Sequence, residues 1–369
     1  MHAALHRDGI ESILPDWEEL FAADPDATPF ASPGWAQAWW PHWAGSMRPW
    51  IVTVRDHGRL VGLAPLVLRR RGPFRVVAPL GRHPANYWDV VARPEVREPV
   101  ASTVAEEIRR HSDEWDAVML SAVPQGAPIE SAVVDLGFRV RRRAPVPYPG
   151  IQLPASFEEY LSGLPRKRRK DLRRHLRRLD DGVLECQEIR DTGELGHTIS
   201  RWQQLRVEWW RQRGKDMNPE HGSERFRAFT LDLVRLLVPA GLAKVWEFRR
   251  DGEVLGVEIN LVDERRFYAW LDGYDPAAAH LGLGKIAVGE GIRSSIAAGR
   301  SYYDFMVGAE SYKYWYGAND RYCGWLMLTG TSWRSRLARV AGGAAGLFAR
   351  MRRPRIGEVA AERENERAD

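Results

Sequence analysis

The chain has 369 residues, 44% of them apolar and 28% charged, with a formal net charge of +5. That length allows two domains of ordinary size, and the composition is that of a globular chain rather than a fibrous or disordered one. Only six lysines occur, so the basic excess is almost all arginine; it admits anionic partners without requiring them.

Cys186 and Cys323 lie far apart with no metal-ligand spacing, which argues against a disulfide framework or a zinc site and fits a reducing compartment. No run approaches the ~18 apolar residues that span a bilayer. The N-terminal MHAALHRDGIESILPDW lacks the apolar core of a signal peptide. The expected location is cytoplasmic.

Ser32-Pro33-Gly34 opens a helix that carries Trp35, Trp39, Trp40 and Trp43 roughly on one face. Trp50 to Arg55 reads as a strand, Asp56-His57-Gly58 as a turn and Leu60 to Leu68 as a second strand. Pro65 implies a bulge or an edge there. Val76 to Leu80 and Tyr87 to Val91 are further strand candidates. Glu95 to His111 reads as a helix, Ala117 to Ser121 as a strand, and Ile129 to Leu136 as a helix stopped by Gly137.

Arg143 to Gly150 holds three prolines and reads as a linker. Ser156 with Glu159 forms a capping box. The basic run PRKRRKDLRRHLRRLDDG follows, then helices over Thr198 to Arg213 and Glu224 to Leu237. Lys244 to Val257 echoes Trp50 to Leu63, with Gly252-Glu253-Val254-Leu255-Gly256-Val257 matching Gly58-Arg59-Leu60-Val61-Gly62-Leu63 in pattern. The expectation is an α/β fold with mixed sheets and two similar domains: residues 1–145, residues 146–335, and a basic then charged tail, 336–369, partly disordered. Leu337 to Arg353 mixes apolar and basic residues and could lie on an anionic bilayer or form a loose tail. Glu358 to Asp369 is expected to be disordered.

Leu281-Gly282-Leu283-Gly284-Lys285 opens a helix over Ile286 to Ala298. Bare amides at such a helix start suit a pyrophosphate, although two glycines could simply make a tight turn. Asp304 stands at a strand end, and Asp272 and Tyr274 just past the strand before the glycines, with Glu258 on the strand before that. A base for an ammonium and a proton donor for a leaving thiolate are both available among them, as are ordinary capping and packing roles. Glu310, Tyr312 and Lys313 form an aromatic, charged segment suited to a sugar or phosphate-bearing acceptor, or to closing the core. Asn86, Tyr87 and Asp89 are acceptor-binding candidates from the first half. Arg169, Arg173 and Arg174 stand for the broad basic face of the run, which suits phosphates or simply water.

Several pieces together resemble a known family. They are Gly62-Leu63-Ala64-Pro65-Leu66, Asn86-Tyr87-Trp88-Asp89, Lys167-Arg168-Arg169-Lys170, Gly273-Tyr274-Asp275-Pro276, Gly282-Leu283-Gly284, Tyr303-Asp304-Phe305 and Glu310-Ser311-Tyr312-Lys313. Their order is similar to the GNAT-fold acetyltransferase-like proteins of the CelD/BcsL type, related to the FemAB transferases. The resemblance implies two tandem GNAT-like domains, an acyl-CoA donor such as acetyl-CoA and no metal. It also implies an amine acceptor, small or sugar-linked, in polysaccharide or envelope synthesis. The usual Gln or Arg three residues before the first glycine is Ala279 here. A charged tRNA is the alternative donor, a non-catalytic anion-binding protein a third reading, and peripheral contact with an anionic membrane is open; no DNA partner is expected.

Overall fold

Pro65 carries no amide hydrogen, and the strand expected over Leu60 to Leu68 breaks there into two, Arg59–Ala64 and Leu66–Arg71, which enter different sheets. The freed carbonyl of Pro65 accepts from the Leu80 amide at 3.0 Å and from Trp88 Nε1 at 3.1 Å. The computed structural model describes residues 1–82, 84–212 and 220–343. They fall into two units: Met1–Pro147 with the chain from Arg321 on, and Tyr148–Asp320.

The first unit holds β1 (His2–His6), β2 (Arg48–Pro49), β3 (Ile51–Asp56), β4 (Arg59–Ala64), β5 (Leu66–Arg71), β6 (Phe74–Pro79), β7 (Val91–Ala92), β8 (Ala117–Pro124) and β9 (Arg139–Arg142). Its helices are α1 (Leu14–Ala23), α2 (Pro33–Trp43), α3 (Arg97–Arg110) and α4 (Pro128–Asp135). β1, β3, β4 and β7 form one sheet in that order, and β8, β6, β5 and β2 line up in another. Ser32 Oγ caps α2 by accepting the Trp35 amide at 3.1 Å, which sends Trp35 and Trp39 into the core. Gly137, at φ 73°, ends α4 as expected. The strand expected over Tyr87 to Val91 shrinks to Val91–Ala92, because Asp89 Oδ1 takes the Val90 amide at 2.7 Å.

The second unit begins with β10 (Val146–Gln152), where a linker was expected. Proline-rich composition misled here: Gly150, Ile151 and Gln152 pair antiparallel with Asp304, Tyr303 and Tyr302 despite the prolines just before them. Then come α5 (Phe157–Gly163), α6 (Arg166–Asp180), β11 (Glu185–Glu188), α7 (Leu195–Gln212), α8 (Glu224–Leu237), β12 (Ala243–Arg250), β13 (Glu253–Val262), β14 (Arg266–Tyr274), α9 (Leu283–Ala297), β15 (Tyr302–Asp304) and α10 (Ser311–Trp315). The sheet order is β11-β12-β13-β14-β15-β10. One face packs on α5, α6 and α9 through Leu172, Leu176, Trp246, Phe267, Ile286 and Tyr303. Trp202 of α7 packs against Phe226 of α8, their rings 6.1 Å apart. The chain then returns to the first unit with β16 (Asn319–Thr329), paired to β8 and β9, and α11 (Trp333–Gly343). Residues 146–335 are the sequence expectation for the second domain; the second unit of the structure spans Tyr148–Asp320. Arg213, the segment beyond Gly343 and the tail 358–369 lie outside the described residues.

The echo between the halves is structural. The β3–β4 and β12–β13 hairpins both turn through two residues with positive φ, His57 and Gly58 at 46° and 83°, Asp251 and Gly252 at 52° and 83°. Both carry a register shift at the matching place, Val54/Arg55 and Phe248/Arg249. In both, an arginine closes the turn: Arg55 donates to Gly58 O at 2.9 Å and Arg249 to Gly252 O at 3.4 Å.

Candidate active site

The halves differ at the start of the helix after the hairpin. In the first, α3 opens with Arg97-Glu98-Pro99, which adds a negative charge and removes an amide. In the second, α9 opens at Gly282, held left-handed at φ 69°. The amides of Lys285 and Ile286 are taken by Gly282 O at 2.9 and 3.1 Å. Those of Leu283 and Gly284, in the first turn, have no acceptor within the helix. α9 starts three residues earlier than the sequence suggested, so Leu283 and Gly284 belong to the helix itself.

Beside this helix start lies a pair of acids, Glu258 buried and Asp272 exposed. Glu258 on β13 faces Asp272 on β14 in register, and Gly256 faces Tyr274. The Tyr274 hydroxyl donates to Glu258 Oε1. Gly256 leaves room for the Tyr274 ring, because a Cβ there would lie 2.9 Å from Tyr274 Cδ1. A Cβ on Gly284 would sit 3.6 Å from Tyr274 Cε2, so the tyrosine spans from Glu258 to the first turn of α9. Burial, then the Asp272 charge, pushes Glu258 up to about 8 against the hydrogen bond from Tyr274. Burial, then the Glu258 charge, raises Tyr274 well above the ordinary phenol range. Asn260, two residues along β13, is fully buried and near enough to Glu258 to favour its charged form by a hydrogen bond.

Tyr274 also lines a cavity of ≈ 80 Å³ with Arg206, Trp209, Trp210, Asp272 and Gly273. Asp272 is the exposed member: its Oδ1 and carbonyl both accept from Arg206, at 2.9 and 2.6 Å. Neither the tryptophans nor Arg206 were singled out from sequence, because on α7 they read as ordinary helix positions.

Asp304 is elsewhere. β14 and β15 pair in parallel over only three positions, ending at Tyr268 opposite Asp304. Tyr274 is six residues further along β14, about 20 Å at ~3.3 Å per residue. Asp304 is buried, and its Oδ1 accepts the Met306 amide at 2.7 Å. Lys313, also buried, donates to the carbonyls of Met306, Val307 and Gly308 at 3.1, 2.9 and 3.0 Å and pairs with Glu310 at 2.8 Å. Its charge is thus committed to the loop after β15, in which Met306 has φ 63°. Tyr312 meets Phe305 edge-on at 6.1 Å between centroids. Asn86, Tyr87 and Asp89 belong to the first unit. There Asp89 faces Arg97 at 3.7 Å, yet burial pushes its carboxyl up to about 6.

The basic run divides by face. Leu172 and Leu176 pack on Gly289 of α9. Arg168 donates to the carbonyls of Tyr314 and Trp315, both at 3.1 Å. Arg166, Arg169, Lys170, Arg173 and Arg177 line a groove of ≈ 270 Å³. Arg173 meets Glu158, whereas Arg174 turns away to Asp171. This groove is larger than the cavity at Tyr274, and its lining is arginine and lysine alone, whereas the smaller cavity is lined by an acid and a tyrosine. Lys285 reaches Asp171 at 2.7 Å and lies 5.3 Å over the Trp315 ring. Among the described residues no group of three or more His, Cys, Asp or Glu is placed to hold a metal ion, and no helix is long and apolar enough to cross a membrane.

Residues 166–314 match the model of the acetyltransferase (GNAT) domain. This segment runs from α6 to α10 and is similar to that domain. No curated protein matches the sequence. Among solved structures the chain resembles FemX at 10% identity and a TM-score of 0.66, covering 92% of this chain and 99% of that one. It also resembles the C-terminal domain assigned to a lysylphosphatidylglycerol synthetase of Agrobacterium fabrum, at 12% identity and 0.58, over 91% and 98%. A third likeness is to L-PGS from Bacillus licheniformis, at 13% identity and 0.52, over 86% and 97%. At these identities the likeness is one of fold. The chain is a mixed α/β protein of two tandem GNAT-like domains.

Proposed function

We propose that the second unit transfers an acyl group, acetyl in the simplest case, from an acyl-CoA to an amine. The observation that carries this reading is the hydrogen bond from Tyr274 to the buried Glu258, set against the open first turn of α9. The donor's pyrophosphate would lie on the amides of Leu283 and Gly284, where the absence of a side chain on Gly284 leaves the approach clear. Ala279 contributes no side-chain donor there, so backbone amides carry the contact.

The acceptor would enter by the cavity under Trp209, Trp210 and Asp272. Tryptophan faces beside Arg206 suit a sugar-linked amine, and the resemblance of the sequence to the CelD/BcsL type favours polysaccharide or envelope precursors. Glu258 as carboxylate takes the proton from the acceptor ammonium. The amine then forms the new amide as the thioester C–S bond breaks. The ammonium proton passes from Glu258 to solvent. Glu258 then takes the second N–H proton as the amide forms, and Tyr274 gives its proton to the departing thiolate and is reprotonated by Glu258. Of the two protons lost by the acceptor nitrogen, one thus ends in solvent and one on the thiol. Asp272 and Arg206 set the charge at the cavity mouth. Asp304, Glu310 and Lys313 fix the loop after β15. The test is release of free thiol from acetyl-CoA in the presence of a panel of amino sugars and small amines. Turnover that survives Glu258→Gln unchanged would remove the base assigned here.

A second reading, an aminoacyl-tRNA donor, draws on the five-cation groove of α6. That groove offers phosphodiesters a row of four guanidinium groups and one ammonium. The acyl-CoA reading is preferred because the α9 amides adjoin the proton-transfer pair, whereas the groove lies on the outer face of α6.

A further inference from the structure

His175 sits on the inner face of α6, in the apolar stripe of Leu172 and Leu176, and is more than nine-tenths buried. Its ring lies on Gly282: a Cβ there would be 2.7 Å from both Cδ2 and Nε2. Nδ1 is 2.9 Å from the Asp171 carbonyl oxygen. A carbonyl only accepts, so Nδ1 carries the hydrogen. In the neutral ring, Nε2 is then a bare lone pair, and it has no hydrogen-bond partner among the described residues. It faces the cap of the one helix whose first-turn amides this site leaves open. A lone pair repels a phosphate oxygen; only the imidazolium presents an N–H to it.

We infer that His175 is a further phosphate-binding residue of the donor seat, and that it binds the pyrophosphate only by taking up a proton. The inference rests on reading the head of α9 as the donor site. In that arrangement α6 supplies the side-chain donor that Ala279 does not. Without ligand the ring is held neutral near pH 7, because burial lowers its affinity for a proton. The charged groups around it are Asp171 and Arg178 on its own helix and Lys285 on α9; the first favours the proton and the other two oppose it. Lys285 is already paired with Asp171, which leaves His175 as the group whose charge changes when an anion arrives. Binding then tightens as pH falls through the complexed value of His175, and levels off below the free value.

The experiment is calorimetric titration with dephospho-CoA, which lacks the titrating phosphate monoester, in two buffers of different ionisation enthalpy at pH 6 to 8. The expected result is uptake of a substantial fraction of a proton by the wild type. Affinity should fall up to tenfold per pH unit within the window, and both effects should be absent in His175→Gln, which still binds. If the ligand binds without proton uptake, or the uptake is the same in His175→Gln, the role of His175 is overturned while the donor site stands. If neither dephospho-CoA nor acetyl-CoA binds at any pH, the donor site itself fails and this inference with it. Should His175→Gln not fold, as judged by circular dichroism, His175→Asn takes its place. The wild-type measurement alone overturns the proposal if no proton is taken up.

Discussion

The Tyr274 hydroxyl donates to Glu258 Oε1 across two neighbouring strands, and the same ring lies 3.6 Å from where a Cβ on Gly284, in the first turn of α9, would stand. A carboxyl pushed up to about 8 is thereby linked to the place where a leaving thiolate would form. The base must be ionised to work, so kcat/KM for acetyl transfer should rise with pH through about 8 and level off above it. Tyr274→Phe removes the hydrogen bond that holds Glu258 down, so the rising limb should move to higher pH and the plateau should fall. Glu258→Gln should abolish the limb and lower turnover by about 10²–10⁴-fold with little change in donor KM. A pH–rate profile of the three proteins checks this.

The same carboxyl has a stability signature. The folded protein keeps the Glu258 proton to about 8, whereas the unfolded chain gives it up near the ordinary glutamate value of 4.5. Its contribution is therefore fully present below about 4.5 and lost as pH rises through about 8. Glu258→Gln has no such loss. Its melting temperature relative to wild type should climb by several degrees between pH 5 and pH 9, as read by thermal melts across that range.

Lys313 makes three carbonyl contacts and one ion pair from a buried position. Lys313→Met should leave these acceptors and Glu310 uncompensated and cost about 3–5 kcal/mol of stability. Denaturant unfolding monitored by fluorescence measures it. A loss under 1 kcal/mol would contradict the loop-clamping role.

Gly282 and Gly284 separate conformation from binding. Gly282→Ala meets both the left-handed φ of 69° and the His175 ring. It should cost at least about 1–2 kcal/mol. Gly284→Ala meets only an ordinary contact at 3.6 Å, and its melting temperature should stay close to wild type.

Much of this was legible in the sequence because it rests on local chemistry. The Asp251-Gly252 and His57-Gly58 turns, the Ser32 and Ser156 caps and the leucine edge of the basic helix are all encoded within a few residues. What escaped depends on neighbours far along the chain. Val146–Gln152 reads as a linker until β15 pairs with it. Lys313 reads as a substrate ligand until the carbonyls of Met306 to Gly308 are seen to surround it. Asp171 and His175 interrupt the apolar stripe of α6 at i, i+4 spacing; that break was the available signal for a polar partner on α9.

The groove of α6 gives a separate expectation. If it binds a phosphodiester, tRNA affinity should fall steeply with salt, and Lys170→Gln with Arg177→Gln should reduce the log–log slope by about 1.5–2. Filter binding at several salt concentrations reads the slope, and an unchanged slope would exclude these two side chains from contact.

The central claim is that an acyl-CoA lies on the first turn of α9 beside Glu258 and Tyr274. Calorimetric titration of acetyl-CoA into the wild type and Gly284→Val tests it most directly. The account predicts one-to-one binding by the wild type, and loss of it in a Gly284→Val protein that keeps its fold by circular dichroism. Undiminished binding by Gly284→Val, or no binding by the wild type at any salt concentration, would contradict it.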